Sequence, residues 1–326
     1  MILLLGADGY VGQAFAAALQ QRRQSFVPLT REALDYTRFE LLFDYVRNLR
    51  PELIINGAGC SDVEAKPGRA TGVESNGLLR QTVARVCAMT KTPWGQVRLN
   101  GVEGGVEPLP RNEECGYTWR MRLPFNEKDE PGNFLLHLMR TYYGEQDERP
   151  EVRGQEEAEG GDDRRERRTW RWGTKATDGR DGTDGEVQTV REGMQSMSQV
   201  DDCARACLEL WEARAAFGIY NVVNPGAVGT LEVLEMIESV LRRPRRLRLA
   251  IYRNGAEEPG CVLDTGKLER AGVRLRPVRN ALRQAVERWQ KGCGTLRVER
   301  SWRPASRTVG AGGQGGPGTD QLKFED

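Results

Sequence analysis

Histidine is all but absent from this sequence. The single one, His137, sits between Leu136 and Leu138 in what reads as a packed helix. That rarity excludes most histidine-based metal sites and argues against a Ser-His-Asp relay. Paired cysteine motifs are missing too: Cys60, Cys87, Cys115, Cys203, Cys207, Cys261 and Cys293 are scattered, odd in number and nowhere spaced Cys-x-x-Cys. Such usage suits reduced thiols in a cytoplasm. Neither sign of charge dominates, with 48 Lys plus Arg against 47 Asp plus Glu, so there is no electrostatic case for nucleic acid or an anionic membrane surface. No stretch approaches the 18 apolar residues of a membrane span. The opening Met-Ile-Leu-Leu-Leu is short for a signal segment and lacks a basic flank. The expectation is a soluble, unexported, cytoplasmic protein that handles small molecules. Between Thr141 and Glu192 leucine, isoleucine and methionine vanish altogether, leaving Val152, Val187 and Val190 as the only aliphatic side chains beyond alanine. A segment so poor in apolar area cannot offset its ordering entropy, and residues 143–192 are expected to be disordered.

What is present is a regular alternation of strand and helix signals over residues 1–97, the pattern of a parallel sheet with helices on both faces. Ile2 to Leu5 reads as a strand, Tyr10 to Gln21 as a helix, Phe26 to Leu29 as a second strand and Leu53 to Asn56 as a third. Thr37-Arg38-Phe39-Glu40 has the spacing of a capping box, opening a helix with apolar residues at Phe39, Leu42, Phe43, Val46 and Leu49. A further helix carries Leu79, Val83, Val86 and Cys87 on one face. Regularity then fails over Arg98 to Gly116. Trp119 to Phe125 is expected as one alternating strand and Asn133 to Arg140 as a short helix. Order resumes at Ser198-Gln199-Val200-Asp201-Asp202, where acidic residues begin a helix. Gly218 to Val223 reads as a strand turning at Asn224-Pro225-Gly226 into another helix, and residues 262–290 as a last strand and helix. The fold class is therefore α/β, a Rossmann-type doubly wound parallel sheet with a small C-terminal substrate lobe and a disordered insertion. Its divisions are 1–140, the dinucleotide-binding domain; 141–195, the charged insertion; 196–292, the remainder of the fold with the lobe; and 293–326, a Gly-rich disordered tail.

The chemistry points to Gly6-Ala7-Asp8-Gly9-Tyr10-Val11-Gly12, directly after the first strand. Glycines at 6, 9 and 12 permit a tight strand-to-helix turn, close approach of a pyrophosphate and close packing of helix on sheet. NAD or NADP is the expected cofactor, with Gly6, Asp8, Gly9, Tyr10, Val11 and Gly12 as its first contacts. Choice between the two is written after the second strand. There Arg31 favours a 2′-phosphate, Glu32 opposes it, and Arg31 as a plain solvated charge is an equal alternative. Asp35 either approaches the adenine edge or is a loop residue ahead of Thr37.

These segments resemble the extended short-chain dehydrogenase/reductase family, in particular its dTDP-4-dehydrorhamnose reductase-like, sugar-nucleotide-binding branch. The resemblance rests on the glycine turn, Ile54-Ile55-Asn56-Gly57-Ala58-Gly59 with Asp62-Val63-Glu64, and Asn76 at the start of a helix. It continues through Arg122-Leu123-Pro124-Phe125, Val200-Asp201-Asp202, Gly218-Ile219-Tyr220-Asn221-Val222 and Leu263-Asp264-Thr265-Gly266-Lys267-Leu268. It implies that Ala58 and Gly59 line the nicotinamide side of the cofactor and that Asn76 braces the site. It also implies hydride transfer to a 4-keto sugar, with a nucleotide-sugar or other small-molecule ligand, no nucleic acid, no membrane, and a homodimer or partner enzyme. The family's reduction needs a tyrosine that protonates the carbonyl oxygen and a lysine four residues on that lowers its pKa. None of the eight tyrosines has that lysine, and residues 97–116 contain neither Ser nor Thr to serve as the nearby hydroxyl. Three readings follow: a catalytically impaired reductase, a non-catalytic regulatory protein similar to the reductase-like regulatory subunit of methionine adenosyltransferase, and a non-functional or misassembled product. Residues 98–116 and 143–192 are either divergence or the trace of a shifted reading frame or misjoined gene model.

Overall fold

The structure is a computed structural model, described over residues 1–58, 72–99, 115–128, 130, 132–143, 187–242, 248–253 and 262–292. Its centre is a six-stranded parallel sheet formed by β1 (Ile2–Leu5), β2 (Phe26–Leu29), β3 (Leu53–Asn56), β4 (Trp94–Leu99), β5 (Gly116–Met121) and β9 (Gly218–Asn221), in the order β2-β1-β3-β4-β5-β9. Uninterrupted apolar runs make β1 and β3 central, because a parallel strand covered on both faces has no polar side to present. Ile2, Leu3, Leu4 and Leu5 are all buried. One face is covered by α1 (Tyr10–Gln21) and α5 (Val200–Glu212), which meet Phe15, Trp119 and Cys203 in a shared core. The other is covered by α2 (Phe39–Leu49) and α3 (Gly72–Thr90), with Leu42, Val46, Val83 and Cys87 inward. The doubly wound parallel architecture expected from the sequence is the one observed.

A second apolar cluster joins α4 (Phe134–Tyr143), α6 (Thr230–Leu241) and α8 (Val278–Gly292). Beside it lies a three-stranded sheet of β6 (Pro124–Phe125), β8 (Gln195–Gln199) and β10 (Asn224–Val228), ordered β10-β8-β6. The remaining elements are β7 (Val187–Glu192), β11 (Arg248–Arg253) and the short α7 (Gly266–Arg270).

Several local expectations are corrected. Trp119 to Phe125 is not one strand: β5 ends at Met121, Leu123 takes a positive φ of 40°, and Pro124–Phe125 pairs in the other sheet. Nor does β5 alternate, since Trp119, Thr118 and Tyr117 are buried on both faces. Asn224-Pro225-Gly226 belongs to a strand rather than a turn. Its proline, having no N–H, falls where the β10–β8 register is irregular. Residues 262–265 form no strand, and only α7 and α8 follow. The absence of regular structure expected through residue 192 fails at its end, where Val187–Glu192 pairs in parallel with Arg248–Arg253. Val187 and Val190 alone are too weak an apolar signal against the polar run before them. Residues 144–186, 100–114 and the tail from 293 lie outside the described residues.

Two tryptophans lock the middle of the large sheet. The Trp119 ring lies over Gly95 on the neighbouring strand, where a Cβ would stand 2.0 Å from its Cη2, and the Trp94 ring lies likewise over Gly116. Phe15 and Tyr117 stack on Trp119 at 5.7 Å. Gly95→Ala must push the indole out of a close-packed layer, at an expected cost of about 2–3 kcal/mol. A urea melt of the variant against the parent measures it.

Candidate functional site

The site is built where β1 gives way to α1. Gly6 holds φ +69°, and a Cβ there would fall 2.6 Å from Ala58 Cα. Only glycine meets both demands. At Gly12 a Cβ would fall 1.9 Å from Gly6 O, so α1 presses directly on the turn. Gly9 is less constrained, its Cβ position being 3.4 Å from Gly6 O. It accepts from Gln13 N at 2.9 Å as the first residue capping α1, while its own N donates to Gly6 O at 3.1 Å. No side chain among the described residues caps α1, and no acidic residue occupies its first turn. Its amide ends and positive dipole end are therefore left to an external anion. Asp8 and Gly9 are exposed, and Asp8 O accepts from Gln13 Nε2 at 3.0 Å. Val11 is buried in the core behind the turn.

The opposite wall is the end of β3. Ala58 N donates to Asn56 Oδ1 at 3.1 Å, Asn56 Nδ2 to Gln96 Oε1 at 2.7 Å, and Gln96 Nε2 to Val97 O at 2.7 Å. This buried amide relay fixes Ala58 against Gly6. Sequence reasoning singled out Asn56 and Ala58 but missed Gln96, which carries no motif and is identified only by its register opposite Asn56. Gly59 lies outside the described residues. Asn76 falls on the first turns of α3, with its side chain outside them.

Arg31 and Asp35 are exposed beyond the end of β2. The expected capping box is not formed, for Thr37 does not cap α2, whose preceding residue is Arg38. Instead the Thr37 hydroxyl and amide both donate to Asp35 Oδ1. The short aspartate reaches the backbone two residues on and outcompetes the helix for that hydroxyl. Those hydrogen bonds, with Arg31 and Arg38 close by, hold the Asp35 carboxyl below its usual range. The carboxylate stays charged beside Arg31.

Tyr10 is the tyrosine on the glycine turn, and its environment is the reverse of what an acid needs. Its hydroxyl is buried with no hydrogen-bond partner among the described residues. Burial first, then the carboxylates of Asp201, Glu127 and Glu130, push its pKa well above the ordinary value. Tyr117 donates to Ala215 O at 2.7 Å and is pushed up to about 12 by burial, and Tyr220 donates to Ala216 O at 2.7 Å. Both are committed to the α5 side of the sheet. Tyr10→Phe removes an unpaired buried hydroxyl, so its expected effect on stability is a gain of roughly 0–1 kcal/mol rather than a loss. A thermal melt checks this.

Residues 1–97 match the family model described as the RmlD substrate binding domain. The matched stretch runs from β1 into β4 and includes the glycine turn. No curated protein matches the sequence as a relative. Among solved structures the chain is similar to a dTDP-4-dehydrorhamnose reductase from Clostridium acetobutylicum, with TM-score 0.60, 12% identity, and 89% of this chain and 99% of that one covered. A dTDP-4-dehydrorhamnose reductase from Bacillus anthracis in complex with NADP gives TM-score 0.58 at 15% identity over 89% and 97%. A UDP-glucose 4-epimerase from Thermus thermophilus in complex with NAD gives 0.57 at 14% identity over 89% and 99%. The glycine turn, the six-stranded order and these likenesses together show that the chain has the Rossmann-type α/β fold of these reductases and epimerases, with its first 97 residues similar to the RmlD substrate binding domain.

Proposed function

We propose that this chain is an NAD(P)-binding protein of the nucleotide-sugar reductase type that has kept the dinucleotide site and lost the family's tyrosine-based proton transfer. The observation that carries the first half is the cradle at Gly6 and Gly12. Backbone there is packed so closely that a single Cβ would fill it, and the uncapped start of α1 opens onto it. A pyrophosphate fits that donor set, as backbone N–H groups and a helix dipole bind anions without a basic side chain. Gly6, Gly9, Gly12 and the amides following them would hold it, Ala58 would face the nicotinamide side, and Arg31 and Asp35 would meet the adenosine end. Bound there, a reduced nicotinamide would be a hydride source.

What the chain's own residues supply for the companion proton supports the second half. A reducible carbonyl needs a phenol whose anion is stabilised by a nearby cation. Tyr10 has carboxylates around it instead, and the hydroxyls of Tyr117 and Tyr220 are already donated to backbone carbonyls. No tyrosine in the sequence has lysine four residues on. Binding without reduction fits a regulatory role better than dTDP-4-dehydrorhamnose reduction. Incubation with NADPH and dTDP- or UDP-4-keto sugars tests it by absorbance. The expected result is no NADPH consumption above the protein-free rate, and sustained turnover overturns the non-catalytic reading.

A further inference from the structure

At the edge of the large sheet opposite the glycine turn, where the strands begin, α2 and α3 end side by side. Each closes on a residue in the left-handed region, Arg50 at φ 49° and Lys91 at φ 55°, and each chain then passes through a proline, Pro51 or Pro93, into β3 or β4. Arg50 N donates to Val46 O at 2.8 Å and Thr92 N to Cys87 O at 3.0 Å, so both turns are held by the helices they end. Because β3 and β4 are neighbours, the two turns stand next to each other, and a cavity of about 430 Å³ lies between them. Small-ligand pockets run from roughly 300 to 1,000 Å³.

The walls divide by chemistry. Phe43, Val46 and Met89 supply an apolar floor, and Met89 is left 56% exposed. Arg47, Arg50 and Lys91 stand around that floor, all exposed, and none has a hydrogen bond or ion pair with another described residue. The only carboxylate in the lining, among the described residues, is Glu52, and it accepts from the Met1 ammonium at 2.7 Å, so its charge is already matched. Cations near helix C-termini offset the dipole, yet two such ends amount to only about one negative charge between them. The three cations exceed that by about two charges. Dipole compensation also leaves the apolar floor unexplained. An apolar surface beneath an unmatched positive rim suits an anion with an apolar body.

We propose that this cavity binds a small organic acid, its aromatic or aliphatic body on Phe43, Val46 and Met89 and its carboxylate between Arg47, Arg50 and Lys91. The planar guanidinium forks match a carboxylate through paired N–H donors, and the ammonium of Lys91 adds a further charge-assisted donor. The inference goes beyond the proposed function and does not rest on it, because no residue of the cavity belongs to the dinucleotide site.

The test uses the full chain in titration calorimetry with phenylbutyrate, hexanoate and acetate as acids and phenylbutyramide as the uncharged counterpart. One saturable site per chain is expected for phenylbutyrate or hexanoate, and the tighter of the two assigns the body as aromatic or aliphatic. Acetate, which lacks the body, and the amide, which lacks the charge, are each expected to bind at least tenfold more weakly. Arg47→Gln combined with Lys91→Gln changes two exposed side chains and leaves the core untouched. It is expected to weaken the preferred acid at least tenfold while NADPH affinity stays within twofold. In the unaltered protein the methyl NMR signal of Met89, assigned through Met89→Leu, locates the ligand independently of the charge variants. A shift of that signal at saturating acid supports the site. No saturable binding of either larger acid, equal affinity for acid and amide, unchanged affinity in the double variant, or a Met89 signal that stays in place at saturation overturns it. Absence of NADPH binding with acid binding intact refutes the dinucleotide reading alone.

Discussion

Gly12→Val is expected to abolish dinucleotide binding and to lower stability by roughly 3 kcal/mol, an overpacking cost at the upper end of the usual range. The cause is local and steric. The first side-chain atom at residue 12 arrives 1.9 Å from Gly6 O and 2.9 Å from Ala7 Cα, both backbone atoms that no rotamer change can move. Relief requires α1 to lift from the turn, and α1 is tied to the sheet through Phe15, buried against Trp119, and through Leu19. Gly9→Val separates the two consequences. Its Cβ meets only Gly6 O, at the ordinary distance of 3.4 Å, so the fold should keep its melting temperature while the exposed approach to the turn is blocked. Melting curves with and without NADPH, run on both variants, check the pair.

The second large effect is expected far from the turn. Asp202 is 4% exposed and accepts from Arg276 Nε at 2.5 Å and from Arg205, with Asn224 Nδ2 at 3.4 Å. Asn224 in turn donates to Arg276 O at 3.0 Å and accepts from Gln199 N at 2.7 Å. One carboxylate thus ties the start of α5 to β8, β10 and the segment entering α8. Asp202→Ala removes the carboxylate shared by Arg276 and Arg205 in a mostly buried setting, costing about 3 kcal/mol once the partial exposure of both arginines is allowed for. For a chain of 326 residues, with an unfolding entropy of about 2.1 cal/mol/K per residue, the melting temperature should fall by roughly 4–5 °C. Arg205→Ala should cost less than half as much, since Arg205 is the more exposed partner and Arg276 remains to hold the carboxylate.

Much of this architecture was legible because local and tertiary demands agree. Ile2–Leu5, Tyr10–Gln21, Phe26–Leu29 and Leu53–Asn56 begin and end where the apolar pattern says they should. The glycine turn was legible for the same reason, since strand, glycine spacing and helix follow one another without interruption. Failures cluster where tertiary pairing decides. Pro124–Phe125, expected as the end of one strand with Trp119, and Asn224-Pro225-Gly226, expected as a turn, belong instead to strands that pair with β8. Thr37 has the spacing of a cap, yet Asp35 is nearer to its hydroxyl. Asp202 reads as a helix-dipole residue, whereas its partner Arg276 lies 74 positions away and no periodicity announces it. Gln96 matters through its register on β4 opposite Asn56, which the sequence alone does not contain.

The central claim is that the turn at residues 6–12 binds a nicotinamide dinucleotide. Calorimetric titration of the full chain with NADPH and with NADH measures it most directly. The account predicts saturable binding of at least one of them at one site per chain, lost in Gly9→Val at unchanged melting temperature. A folded parent protein that binds neither dinucleotide, or a Gly9→Val variant that binds as the parent does, would contradict it.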